Sequence, residues 1–115
     1  VTTTALGLAA EKLVDLGAVV VTINWWLDFS KDILTVTEGQ GHAGEDETSA
    51  VLYYNESLVQ MEKATKNFNK QLYPVKFKDR GKTIFRDAIT GDATLASREK
   101  GEKIFDLLED RITTI

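Results

Sequence analysis

The sequence predicts an α/β fold made of one compact domain. Its 115 residues fit a single domain of ordinary size. Residues 3–16 have the apolar spacing of a helix, and residues 18–24 form a continuous β-branched run, typical of a strand buried on both faces. Helix, glycine and buried strand in this order are the second half of a βαβ unit. We therefore expect residues 1–115 to form one unit around a parallel sheet, with a further strand upstream of Thr3.

The elements of the first third of the chain follow from local signals. Gly17 stands where a left-handed helix cap is needed, directly after the predicted first helix. Trp25 and Trp26 are expected at the end of the strand. Ser30 is a candidate N-cap for a short helix that continues to Leu34. The apolar face of the first helix comprises Leu6, Ala9, Ala10, Leu13 and Leu16.

The remaining elements are predicted with uneven clarity. Residues 39–49 indicate a loop rich in glycine and acid, followed by a helix over 50–54 that continues over 58–64 after a break at Asn55. Between residues 66 and 91, short strands are suggested without a clear register by Val75, Phe77, Ile84 and Phe85. Ser97 caps a last amphipathic helix, whose apolar face comprises Ile104, Leu108, Ile112 and Ile115.

Composition narrows the classes of function. The net charge is −4 and no basic patch stands out, so the sequence does not favour nucleic acid as a partner. Cysteine is absent, which leaves no disulfide framework or thiolate metal site and suits a cytoplasmic protein. No apolar run approaches the ~18 residues of a membrane span, and the N-terminus lacks the basic segment of a signal peptide. We expect neither a membrane nor a nucleic-acid partner.

Chemistry is concentrated in the loop around the single histidine. His42 is followed within five residues by the carboxylates of Glu45, Asp46 and Glu47, and three glycines flank these positions. Imidazole beside carboxylate is suitable for binding a divalent metal or for proton transfer. The same pattern also fits a solvated turn whose acids cap the following helix. The residues alone leave both interpretations open.

Two ordered motifs resemble the creatininase family. His42-Ala-Gly-Glu-Asp-Glu-Thr-Ser49 is similar to the family's HAGxxETS segment, and the preceding helix, strand and Trp agree with it. Gly91-Asp-Ala-Thr-Leu-Ala-Ser97 with Glu99-Lys-Gly101 is similar to its GDPTxAxxEKG segment, with Ala93 in place of proline. The family's NGHGGN-like stretch and its earlier ExHGxHxPxxTD-like stretch would lie before Val1. The resemblance implies the C-terminal half of a three-layer α/β/α fold over residues 1–115.

The resemblance also implies an activity and roles for individual residues. Family members cleave non-peptide C–N bonds with two divalent metal ions (Zn, Mn or Fe), in substrates such as creatinine or a formamidopyrimidine; a peptide-trimming member is a third possibility. Glu47 corresponds to a metal-coordinating carboxylate and His42 to the histidine that handles protons. Trp26, or Trp25, corresponds to a residue of the substrate pocket. Glu45 and Asp46 fall at variable positions and are expected to be solvated, while Asp92 and Thr94 are expected to be turn and cap residues.

We expect this half to be catalytically incomplete without the upstream N-terminal half, which would supply most of the metal ligands. The expected partners are a small-molecule amide, the upstream half and further copies of the protein in an oligomer such as a hexamer. An alternative is a non-catalytic assembly half that pairs with the upstream segment, because a single histidine without cysteine is a small donor set for two metals. An NGHGGN-like stretch ahead of Val1 would favour the enzyme.

Overall fold

The structure, a computed structural model, describes residues 2–68, 78–79 and 86–115. Over these ranges the chain is mostly helical and contains a single two-stranded sheet. It divides into two units, Val1–Ser30 and Lys31–Ile115, which are described separately below. Within the described ranges no helix is both long and apolar enough to cross a membrane.

The first unit opens with helix α1, Thr2–Asp15, which confirms the first predicted helix. Gly17 adopts φ = 86°, the left-handed conformation expected of a helix C-cap, and its N–H donates to the carbonyl oxygen of Val14. The leucines of the predicted apolar face are not covered within the described residues, since Leu6, Leu13 and Leu16 are all exposed.

The buried parallel strand predicted over residues 18–24 is absent. These residues join no ladder in the part of the chain that is described, and Val19 is 95% exposed. The physical reason is that a strand is defined by a hydrogen-bonding neighbour, and β-branched composition does not supply one. The β-branched composition of residues 18–24 therefore indicated a preference for strand conformation, but no described residue pairs with them in a sheet.

Two short helices follow, α2 over Trp25–Asp28 and α3 over Ser30–Ile33. Trp25 and Trp26 thus begin a helix instead of ending a strand. The carboxylate of Asp28 accepts a hydrogen bond from the backbone N–H of Asn24 at 2.7 Å, which stabilises this helix start. Ser30 is the first residue of α3 and not its N-cap, so that prediction was wrong by one position.

The second unit is organised around helix α4, Glu45–Asn55, which packs against helix α5, Arg98–Thr113. Helix α4 begins five residues earlier than predicted, at Glu45. The predicted break at Asn55 is confirmed, and the Asn55 side chain accepts from the N–H of Ser57. Beyond it the chain forms two separate 3₁₀ turns, Glu56–Leu58 and Met61–Lys63, and not the continuous helix expected there.

A small antiparallel sheet closes the second unit. Strand β1, Lys66–Asn67, pairs with strand β2, Gly91–Asp92, with Lys66 opposite Asp92. The short strands predicted around Val75, Phe77, Ile84 and Phe85 lie outside the described residues. Within the described ranges the fold thus combines helices with little sheet, and a parallel sheet is not part of it.

Helix α5 confirms the predicted cap and part of the predicted face. The Ser97 hydroxyl oxygen accepts from the N–H of Lys100, as an N-cap does. Ile104 is fully buried, Leu108 is half-buried, and Ile112 and Ile115 are exposed. Among the described residues of the second unit, the buried apolar side chains are Ile33, Leu52, Ile89, Ala93 and Ile104.

Gly101 allows the close contact between α4 and α5. A Cβ atom at this position would lie 2.0 Å from the carbonyl oxygen of Ser49, which belongs to the backbone of α4. We expect Gly101→Ala to lower the free energy of unfolding by about 1–3 kcal/mol, as overpacking of a well-packed site typically does. Chemical denaturation measures this directly.

Gly7 offers the matched control, because it also lies within a helix and a Cβ atom there would have no neighbouring atom within 4 Å. Gly7→Ala gains the same helix propensity, up to ~1 kcal/mol, without a clash. If Gly101→Ala were as stable as Gly7→Ala, the close approach of the two helices would be wrong.

Candidate functional site

Three consecutive carboxylates form the first turn of α4: Glu45, Asp46 and Glu47. Gly44 precedes them as the N-cap residue and makes no side-chain cap. The N-terminus of a helix favours negative charge, which explains why the chain becomes helical here and not at residue 50. The three acids then differ sharply in their surroundings.

Glu45 is buried, and the expectation that it is solvated was wrong. Its side chain is 2% exposed and forms an ion pair with Lys100, with 2.6 Å between Oε1 and Nζ. The other oxygen accepts from the backbone N–H groups of Glu38 and Gly39, at 2.9 and 3.1 Å. A buried carboxylate requires such partners, so Glu45 ties the start of the loop and helix α5 to helix α4.

Asp46 is also buried, at 1% exposure, against the same expectation. Its Oδ1 accepts from the N–H of Gly41 at 3.1 Å. Burial raises the pKa of Asp46, and the hydrogen bond from Gly41 opposes that rise. Because the raised pKa belongs to the folded state, ionising Asp46 weakens folding as the pH rises from the ordinary aspartate pKa to the raised one. Both buried acids are therefore structural.

Glu47 is the acid that faces outward. Its side chain is 33% exposed, and its Oε2 lies 3.6 Å from Nδ1 of His42. The same oxygen accepts from the backbone N–H of Ala43 at 2.7 Å. Ala43 has φ = 49°, a left-handed conformation that is uncommon for a residue other than glycine. Glu47 therefore both holds this turn and presents its carboxylate beside the imidazole.

His42 has an exposed ring on a firmly held backbone. The side chain is 70% exposed. The backbone N–H of His42 donates to the hydroxyl oxygen of Thr90 at 2.8 Å. The backbone N–H of Thr90 donates in turn to the carbonyl oxygen of His42 at 2.9 Å. The backbone of Gly41 lies against that of Thr90: a Cβ atom at Gly41 would be 1.8 Å from the carbonyl oxygen of Thr90. Sequence reasoning missed Thr90, which directly precedes the second motif.

The second motif, residues 91–101, contacts helix α4, which begins within the first motif, residues 42–49. The Asp92 carboxylate accepts from the N–H and the hydroxyl of Thr94, which confirms both as turn residues. The N–H of Ser97 donates to the hydroxyl oxygen of Ser49 at 3.1 Å, so the caps of one motif bind the helix of the other. Together with the Lys100 ion pair, these contacts hold the second motif against the start of helix α4.

Ala93 has a specific partner in this arrangement. Its N–H donates to the carbonyl oxygen of Thr65 at 3.2 Å, next to the small sheet. Proline, which is usual at this position in the resembling motif, has no N–H to donate. The departure from the motif therefore adds a hydrogen bond between segments and does not disturb His42.

An open groove of about 290 Å³ borders Glu47. Its lining residues are Ala43, Glu47, Thr48, Val51, Leu58, Val59 and Gln60. The groove places apolar side chains next to one carboxylate, a mixture common in small-molecule sites. The sequence did not indicate it, because its walls come from separate segments: the His42 loop, helix α4, and the first 3₁₀ turn with the two residues after it.

Trp25 and Trp26 lie in the first unit, in α2. Their rings meet edge to face with centroids 6.0 Å apart, and Trp26 is partly exposed. A substrate-binding role for either ring stays a prediction.

Among the described residues of the loop, His42 and Glu47 offer an accessible ring nitrogen and carboxylate, whereas Glu45 and Asp46 are buried. Over the described ranges, no group of three or more His, Cys, Asp or Glu side chains is placed to hold a metal ion. Imidazole nitrogen and carboxylate oxygen are suitable donors for zinc or manganese. A catalytic zinc takes three protein ligands, so His42 and Glu47 could supply only part of the ligand set of such a site.

Comparison with known proteins identifies the family to which this chain belongs. Searches of curated proteins and of solved structures find no match to this chain. The family model described as Creatininase, creatinine amidohydrolase, matches residues 2–115. That match covers nearly the whole chain and includes both motifs. The chain therefore belongs to the creatininase family, whose members are amidohydrolases.

Proposed function

We propose that this chain is the C-terminal half of a metal-dependent amidohydrolase with a three-layer α/β/α fold. The bond cleaved is a non-peptide C–N bond, in a cyclic amide such as creatinine or in a formamide such as a formamidopyrimidine. One observation carries the proposal within this family: His42 and Glu47 stand 3.6 Å apart and accessible, on a turn whose other two acids are buried in structural contacts.

The proposed metals are two divalent ions, zinc, manganese or iron. Glu47 would hold one of them through its carboxylate, and further ligands would come from the upstream N-terminal half. When bound, such ions supply Lewis-acid polarisation of the amide carbonyl. The rigid start of α4 fixes the position of the Glu47 carboxylate before any metal arrives.

His42 is the proposed proton carrier. Its exposed imidazole can give a proton to the leaving nitrogen, and the backbone that carries the ring is held in place by Thr90. Trp26, with Trp25 beside it, is the proposed aromatic wall of the substrate pocket. The amide substrate, the upstream half and further copies of the protein, as in a hexamer, are the proposed partners.

The second candidate function is a non-catalytic assembly half. It is favoured by the apolar face of α1, where Leu6, Leu13 and Leu16 are exposed within the described residues. An uncovered apolar face of this kind favours association with another surface. The two candidates differ in whether Glu47 binds a metal.

We expect Glu47→Gln to lower metal occupancy of the protein assembled with its upstream half, since glutamine keeps the shape but loses the charge. Elemental analysis after dialysis measures the metal per chain. Glu56→Gln is the matched control, because Glu56 is an exposed acid that starts the 3₁₀ turn after α4. Equal metal content in the two variants would show that Glu47 stabilises the turn and does not bind a metal. Glu45 is unsuitable as the control because of its buried ion pair.

A further inference from the structure

The position of His42 depends on a residue 48 positions later in the chain. Thr90 accepts the His42 N–H through its hydroxyl oxygen and donates its own N–H to the His42 carbonyl oxygen. Both hydrogen bonds have ordinary N···O distances, 2.8 and 2.9 Å. The backbone of His42 is therefore bound on both of its polar groups by one residue.

Among the described residues, few contacts hold the imidazole itself. The side chain is 70% exposed, and its contact with Glu47, at 3.6 Å, is longer than a hydrogen bond. The next residue, Ala43, is in a left-handed conformation, which persists only when the surrounding structure enforces it. The backbone fixes where the side chain of His42 leaves the turn, and that backbone is held by Thr90 and by the contact of Glu47 with Ala43.

We propose that Thr90 is a positioning residue for His42, acting through its hydroxyl oxygen. This inference rests on the proposed function, in which His42 gives a proton to the leaving nitrogen of an amide. Loss of the hydroxyl leaves the His42 N–H without its acceptor, so the turn relaxes and the ring moves away from the reacting nitrogen. A displacement of about 1 Å in such a group can reduce the rate ~10²-fold.

Three variants separate positioning from general stability. Thr90→Val keeps the shape and removes the hydroxyl, and Thr90→Ser keeps the hydroxyl. Thr35→Val removes an exposed hydroxyl that donates to the backbone carbonyl oxygen of Asp32, elsewhere in the second unit. In the active, assembled protein we expect Thr90→Val to lower kcat by about 10–10² with KM little changed. Thr90→Ser should retain most of the activity, and Thr35→Val should behave as the parent.

A second readout requires no activity. His42 is the single histidine of the chain, so its imidazole resonances are unambiguous in NMR spectra of the full chain. We expect Thr90→Val to shift or broaden these resonances and to speed hydrogen exchange of the His42 amide, whereas Thr90→Ser and Thr35→Val leave both unchanged.

The outcomes that overturn the inference are distinct. Unchanged His42 resonances and unchanged kcat in Thr90→Val would show that the hydroxyl positions nothing. Equal losses in Thr90→Val and Thr90→Ser, accompanied by a lower Tm, would make Thr90 a stabilising residue only. If the parent protein hydrolyses no amide, the proposed function fails, and the NMR comparison still decides whether Thr90 holds His42.

Discussion

Lys100→Met is expected to lower the free energy of unfolding by about 3–5 kcal/mol, because it leaves the Glu45 carboxylate buried without its cation. Glu45 is 2% exposed and Lys100 is 27% exposed, with 2.6 Å between the charged atoms. The backbone N–H groups of Glu38 and Gly39 still donate to the Glu45 carboxylate in this variant. We therefore expect a loss of stability near the lower end of that range. Urea denaturation followed by circular dichroism measures the change.

Lys103→Met is the matched control, one turn further along the same helix. Lys103 pairs with Glu99 at 2.7 Å, but both side chains are mostly exposed, so its loss should change stability little. Adding Glu45→Gln to Lys100→Met should recover part of the loss by removing the unpaired charge. Equal effects of the two lysine variants would contradict the buried ion pair.

His42→Asn is expected to lower kcat of the assembled enzyme by about 10²–10⁴, which is the typical contribution of a general acid or base. Asparagine keeps a polar side chain but has no group that exchanges protons near neutral pH. The backbone contacts to Thr90 do not involve the ring, so metal content and Tm should stay close to the parent values.

The same preparation distinguishes the alternative role. If the ring of His42 instead holds the turn, the variant should lose thermal stability and metal together. A normal kcat would remove His42 from the mechanism and leave Glu47 as the single catalytic contribution of this chain. Measuring metal content, Tm and kcat on one sample makes the three results comparable.

Several caps and turns could be predicted from local signals, although the Ser30 cap was wrong by one position. The helix cap at Gly17, the cap at Ser97 and the turn at Asp92 depend on residues within one turn, and the structure confirms each. The His42 loop was recognised by its motif, because imidazole, glycine and acid recur there at fixed spacing. Short-range hydrogen bonding makes such elements predictable.

Sequence reasoning failed where the cause is a distant partner. Glu45 was expected to be solvated, yet its cation lies 55 positions away. Thr90 carried no signal of its own, since its role depends on how the segment before β2 meets the His42 loop. The predicted strand over residues 18–24 failed for a related reason, because β-branched composition does not provide the neighbour that a strand requires.

The central proposal is that this chain contributes His42 and Glu47 to an amidohydrolase site that an upstream half would complete. Its most direct test is amide hydrolysis with added zinc or manganese, measured for the chain alone and after reconstitution with the upstream half. Creatinine and a formamidopyrimidine are the first substrates to assay. The account predicts no enzyme-like turnover by the chain alone and metal-dependent turnover by the reconstituted protein. Enzyme-like turnover by the isolated chain, or none by the reconstituted protein on either substrate, would contradict it.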